Sequence, residues 1–175
     1  MNVDSLCKEI AKVYNNSTAL NYKKNAHMFY ESNKPKLYFR IHKPTKKWYV
    51  GFTTQRYAIF RHNQDIMSAV LFKKKGKKSD LYRETITTEQ ARDLWNRTPD
   101  PFYEVNKDWV VWTVAEFDTE SIARSTEAAV IQTLTKQNVI PAELCLNTTH
   151  VACVSVSKQD DKPINPFLAK MMKSS

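Results

Sequence analysis

The stretch KLYFRIHKPTKKWYVGFTT, residues 36–54, holds two phenols, an imidazole, a guanidinium and several ammonium groups. Read as a hairpin, it sorts them onto one side, because alternate side chains of a strand point to opposite faces. Leu37, Phe39 and Ile41 share a face, which leaves Tyr38, Arg40 and His42 on the other. In the partner strand Trp48, Val50 and Phe52 are the apolar set, and Lys47, Tyr49, Gly51 and Thr53 remain. With KPTK (43–46) as the loop, His42 faces Lys47, Arg40 faces Tyr49 and Tyr38 faces Gly51. Gly51 is one of only two glycines in the chain. Glycine inside a strand costs stability and often marks the close approach of a ligand or backbone. The pattern therefore predicts a cationic, phenolic wall with a side-chain-free spot opposite Tyr38. The plainer alternative is a solvated face whose tyrosines are there for β-propensity alone.

The charge of the chain concentrates around that wall. The whole sequence carries a formal +9, yet residues 23–83 alone hold 16 Lys and Arg against Glu31, Asp65 and Asp80, a local +13. The remainder is net negative. A contiguous positive field attracts a polyanion, and nucleic acid is the first candidate. A lysine surface serving solubility is the competing account. An anionic membrane is disfavoured, because the basic segment lacks one continuous amphipathic helix. Lys73, Lys74, Lys75, Lys77 and Lys78 form the densest run, which composition marks as an exposed loop, and they are expected to contact phosphate or a groove.

These groups need elements to position them. At 175 residues, 42% hydrophobic and 26% charged, the chain is sized for one globular domain with a real core. No apolar run approaches the roughly 20 residues that span a bilayer. Cys7, Cys145 and Cys153 are widely spaced, which suits reduced thiols in a cytoplasm better than a disulfide framework. The pattern predicts a helix over 4–14, a short helix and loop over 17–34, the hairpin, a helix within 53–72, a capped helix over 87–97 and a turn-rich linker at 99–107. A buried strand over 109–117 follows, then a helix capped by Asp118 or Thr119 and running to about Asn138, and a last strand over 150–157. The tail from Lys158 reads as loosely attached. The fold class expected is α+β: a small antiparallel sheet of three strands, with one extra strand to add, flanked by helices.

On the later helix Glu127 lies beside the apolar stripe, with Ala123, Arg124, Val130 and Ile131 three and four positions away. An acid there is either a functional group or one half of a surface pair with Arg124.

In order along the chain, LYF (37–39), YVG (49–51), a helix with Arg56, Arg61 and His62, the strand WVVWTVAEF, Glu127 and Ile131 in STEAAVIQTL, and then Pro141 and Asn147 resemble the GIY-YIG nuclease family. The resemblance covers about 36–62 and 108–147; Leu37 and Phe39 depart from the family's first tripeptide. It implies one domain over 1–175, with a helical N-terminal extension over 1–35. An insertion at 64–107 would serve DNA recognition, as in the family's restriction-enzyme branch. It further implies a metal-dependent endonuclease acting on double-stranded DNA, with a homodimer suited to cutting both strands. The alternative is a nucleic-acid-binding protein that kept the scaffold without catalysis.

Hydrolysis of a phosphodiester needs a water nucleophile, an acceptor for its proton and positive charge on the developing phosphorane. The resemblance makes Tyr38 the acceptor, with Lys47 among the cations that favour its phenolate and Tyr49 bonded to phosphate or water. Arg61 (or Arg56) would neutralise phosphate and His62 would assist proton transfer. Glu127 would hold one Mg²⁺ or Mn²⁺, and Gly51 would leave room for a phosphate. Asn147 would fix the loop around the site, and Arg40 and Lys46 join the DNA-contacting set.

Overall fold

The computed structural model describes residues 32–97, 106–136 and 141–147. The expected helix over 4–14, the strand over 150–157, the tail, and most of the 17–34 and 99–107 segments lie outside the described residues. The elements are β1 (Lys36–His42), β2 (Trp48–Thr53), α1 (Ala58–Val70), α2 (Lys77–Thr85), α3 (Thr88–Trp95), β3 (Trp109–Glu116) and α4 (Glu120–Lys136), then a 3-10 turn at Ala142–Leu144. The three strands form an antiparallel sheet in the order β2-β1-β3, so the fold class is α+β. No helix among the described residues is long and apolar enough to cross a membrane.

The short loop fixes the hairpin register. Tyr38 pairs with Gly51 and Arg40 with Tyr49, while the His42 amide donates to the Lys47 carbonyl at 2.9 Å. On the other side of β1, Arg40 faces Val111 and His42 faces Trp109, with an irregularity between Leu37 and Tyr38. β1 is thus the central strand, and every one of its residues is buried.

Burial on both faces is the main departure from the expected wall. Leu37, Phe39, Ile41, Trp48 and Val50 are fully covered. So are Arg40 and, to within 1%, Tyr38. Their cover comes from α1 and α2. Helix α1 turns Ala58, His62, Ile66 and Ala69 inward at the spacing of one helical face. Helix α2 adds Leu81 and Tyr82. The lysine run expected as a loop over 73–78 ends sooner: Gly76, at φ 124°, precedes the helix, so Lys77 and Lys78 belong to its first turn. Helix α1 runs unbroken through position 64, where the expected insertion begins.

Side-chain caps mark the starts of α3 and α4, whereas α1 begins after Tyr57 without one. Thr87 accepts from the Gln90 amide and closes a capping box with that side chain at α3. Thr119 Oγ1 accepts from the Ile122 amide at 3.3 Å at the start of α4. Helix α4 then buries Ala123, Thr126, Glu127, Val130, Ile131 and Leu134, one continuous stripe that packs along β2 and β1.

Candidate active site

Arg40 organises the enclosed polar face. Its guanidinium donates to Tyr38 Oη at 2.6 Å, to Tyr82 Oη at 2.5 Å and to Asp65 Oδ2 at 2.5 Å. It also lies 4.4 Å from the centre of the Tyr49 ring. A guanidinium can be buried at this depth only because its fork finds acceptors in three directions. Arg40 is therefore an internal cation, not the DNA contact expected of it.

Gly51 is explained by the same geometry. A Cβ at that position would stand 2.6 Å from Tyr38 Oη, 2.7 Å from Tyr38 Cζ and 2.7 Å from Tyr49 Cε1. The spot opposite Tyr38 is filled by the Tyr38 phenol itself, which crosses over the glycine, and no room remains there for a phosphate. Burial pushes Tyr38 well above the usual phenol range and outweighs the opposing pull of Arg40. The same balance raises Tyr49, which is partly buried. Tyr38 is thus a buried support for Arg40, and Tyr49 is the phenol with access to the surface.

Asp65, counted in the sequence only as an acid of the basic segment, is the shared counterion. Its carboxylate meets Arg40, then Lys78 Nζ at 3.1 Å and Arg61 Nε at 3.6 Å. Burial alone would raise Asp65, but Arg40, Lys78 and Arg61 together hold it at about 2. Lys78 reaches in from α2, with its ammonium 4.4 Å from the Tyr49 ring centre. Burial, with Arg40 adding to it, brings Lys78 down to about 8.

Glu127 approaches from α4. It is 8% exposed, and burial raises it to about 7 against the combined pull of Arg124, Lys78, Arg40 and Arg61. The surface pair with Arg124 does not form. Arg124 instead bonds Glu120 at 2.7 Å and lies over the Phe52 ring. Glu127 makes no hydrogen bond or ion pair within the described residues, although its charge is felt by Tyr49.

The other expected residues divide cleanly. Adjacent positions on α1 separate Arg61, exposed, from His62, fully buried. His62 Nδ1 sits 3.1 Å from Tyr82 Oη, and burial with Arg40 pushes it well below the usual imidazole range. It is a neutral packing group, not a proton carrier in contact with solvent. Lys46 and Lys47 lie at the hairpin turn, beside His42. Arg56 is exposed and lies over Tyr57, so Arg61 is the arginine that joins the cluster. Lys73, Lys74, Lys75 and Lys77 are exposed, as expected.

Asn147 closes the edge of β2: its Oδ1 accepts from Val50 N at 3.0 Å and its Nδ2 donates to Val50 O at 2.7 Å. The side-chain amide thus pairs with one residue of the strand as a neighbouring strand would. Leu146 N donates to Trp48 O at 2.8 Å just before it.

Asp65 and Tyr82 belong to the cluster without being singled out by the sequence patterns as site residues. Asp65 carried a readable signal, as one of three acids in the basic segment and four positions from Arg61 on a helix. Tyr82 carried none. No family model, curated protein or solved structure matches the chain.

Proposed function

We propose that the protein is a metal-dependent endonuclease of double-stranded DNA, similar to GIY-YIG restriction enzymes and acting in the cytoplasm. One observation carries the reading. A buried carboxyl without a partner among the described residues, Glu127, shares the electrostatic surroundings of Tyr49, Arg61 and an enclosed arginine, Arg40, although these groups come from four different elements. The order of hairpin, helix, strand and glutamate-bearing helix supports it further.

Glu127 suits a single hard cation. A buried carboxyl with no hydrogen bond gains most from a ligand that brings its own charge. Among the described residues no group of three or more His, Cys, Asp or Glu stands ready for a metal. Mg²⁺ or Mn²⁺ held by Glu127 would therefore take its other ligands from water and phosphate, which is how Mg²⁺ commonly binds. Such an ion would acidify a bound water and neutralise phosphate charge. The chain's own part is positional. Arg61 meets the phosphate from the open side, Tyr49 donates to the phosphate or water, and Tyr38 and Asp65 fix Arg40 behind them. A two-fold pair of chains would bring two such sites to the two strands.

The test is cleavage of plasmid and long phage DNA with Mg²⁺ or Mn²⁺, wild type beside Glu127→Gln. Cutting by the wild type and loss of at least about a hundredfold in the variant is expected, the scale of one lost electrostatic group. DNA left intact under all conditions, or cut equally by both, refutes the reading. The enclosure of Tyr38 favours a second reading, a DNA-binding protein without catalysis. It predicts salt-sensitive binding, no cleavage, and indifference to Tyr38→Phe.

A further inference from the structure

We propose that Lys78, delivered by α2, is a catalytic cation that contacts the scissile phosphate together with Arg61, and that Asp65 is the positioning carboxylate for both. The inference rests on the nuclease reading and adds to it a residue from an element outside the hairpin, strand and glutamate helix that carry the resemblance. Three cations converge on Asp65, and they are not equivalent. Arg40 is fully enclosed, and its two terminal nitrogens are bonded to Tyr38, Tyr82 and Asp65. Lys78 keeps 23% of its side chain exposed and Arg61 keeps 47%. These two therefore present donors outward while the carboxylate holds them from within. An ammonium has three donors, and Asp65 takes one of them.

Position sharpens the assignment. The Lys78 ammonium stands 4.4 Å from the Tyr49 ring centre, and it acts electrostatically on Glu127 as Arg61 and Arg40 do. One carboxylate against three cations leaves a positive surplus that acts on Glu127, which has no partner among the described residues. An anion that also ligates a cation at Glu127 fits between them, and a phosphodiester is such an anion. Lys78 differs in this from Lys73, Lys74 and Lys75, which lie in the exposed link before α2. At neutral pH Lys78 is still largely protonated, since its lowered value is about 8.

The test separates rate from binding. Single-turnover cleavage of a mapped phage-DNA fragment is measured at saturating enzyme, and affinity is measured by anisotropy on the same fragment in the Glu127→Gln background. Lys78→Gln should lower the rate about 10²–10³-fold, the range for removing one charge-stabilising donor, with affinity within threefold. Lys78→Arg, which keeps the charge, should regain at least tenfold of that loss. Asp65→Asn should slow cleavage at unchanged affinity, while Lys136→Gln, exposed at the end of α4, should leave both rate and affinity alone. Thermal melts accompany each variant; if Lys78→Gln fails to fold, Lys78→Arg is read against Lys136→Arg instead, and only the former, whose bulkier fork recovers the rate in part, should stay at least threefold below wild type. A saturated rate within threefold of wild type in a folded Lys78→Gln variant overturns the inference while leaving the nuclease reading intact. A wild-type protein that never cuts, or cuts independently of Glu127, removes the nuclease reading and this inference with it.

Discussion

Replacing Gly51 with alanine is the sharpest physical test of how the two tyrosines are packed. The new methyl would meet Tyr38 Oη at 2.6 Å, Tyr38 Cζ at 2.7 Å and Tyr49 Cε1 at 2.7 Å. Neither ring can yield cheaply. Tyr38 is 1% exposed, and its hydroxyl is bonded to Arg40, which is itself held by Tyr82 and Asp65. Forcing extra volume into a packed core costs about 1–3 kcal/mol. Losing a hydrogen bond to a buried charge adds about 1.5–3 kcal/mol. The lower unfolded-state entropy of alanine returns only about 0.4–1 kcal/mol. The net expectation is a destabilisation of about 3 kcal/mol, or about 6–12 °C in Tm for a chain of this size. Urea unfolding followed by tryptophan fluorescence measures it. The clash has a named partner, so the cost should fall by at least about 1 kcal/mol in a Tyr38→Val background, as a double-mutant cycle reports. A Gly51→Ala change within about 0.5 kcal/mol of wild type, the range of ordinary surface substitutions, refutes the crossing of Tyr38 over Gly51. An equal cost in both backgrounds does the same.

Asp65 gives a pH signature. Its folded value of about 2 lies below the ordinary 3.8, so its contribution, about 2 kcal/mol by linkage, is fully present above pH 4 and is lost as pH falls toward 2. Urea midpoints of wild type and Asp65→Asn should thus differ at pH 6 and converge near pH 2; a constant gap would contradict this. Asn147→Ala leaves both polar groups of buried Val50 without their partner, which should cost about 2–4 kcal/mol, read by the same unfolding assay. Lys74→Ala with Lys75→Ala should lower the slope of log affinity against log salt by about 1–2, measured by anisotropy on duplex DNA over a KCl series.

Period-two alternation and a four-residue loop sufficed to read the hairpin's faces and register from the residues. Alternation says which side a residue points to, but not what lies there. Tyr38, Arg40 and His42 share a face as expected, yet the face is enclosed, because α1 and α2 together cover it. Helix α2 was hard to foresee: a lysine run with a glycine precedes it, and its inward set is little more than Leu81 and Tyr82. Missing α2 meant missing Lys78 as a member of the cluster and reading Arg40 as exposed. Glu127 was legible for the opposite reason, since Ala123, Val130, Ile131 and Leu134 mark its stripe at helical spacing.

Asp65 and Glu127 show how one set of cations can produce two opposite carboxyl groups. Arg40, Lys78 and Arg61 act on both, yet Asp65 is held at about 2 and Glu127 is raised to about 7. Contact decides the difference. Asp65 touches all three cations at 2.5–3.6 Å, and at that range attraction exceeds the cost of leaving water. Glu127 is buried beside the same charges without touching them, so the desolvation cost wins. Asp65 is consequently satisfied and binds nothing further, whereas Glu127 is ionised at a cost that an arriving cation would remove. A pair of acids driven apart in this way marks which one is free to act. It also predicts that Asp65→Asn, by removing the anion that offsets the cations, leaves around Glu127 more positive charge, which repels a divalent metal more strongly than it repels a proton. Calorimetric titration with Mn²⁺ should then show lower affinity in Asp65→Asn than in wild type, and an equal or higher affinity would show that the cations do not act on Glu127 as argued.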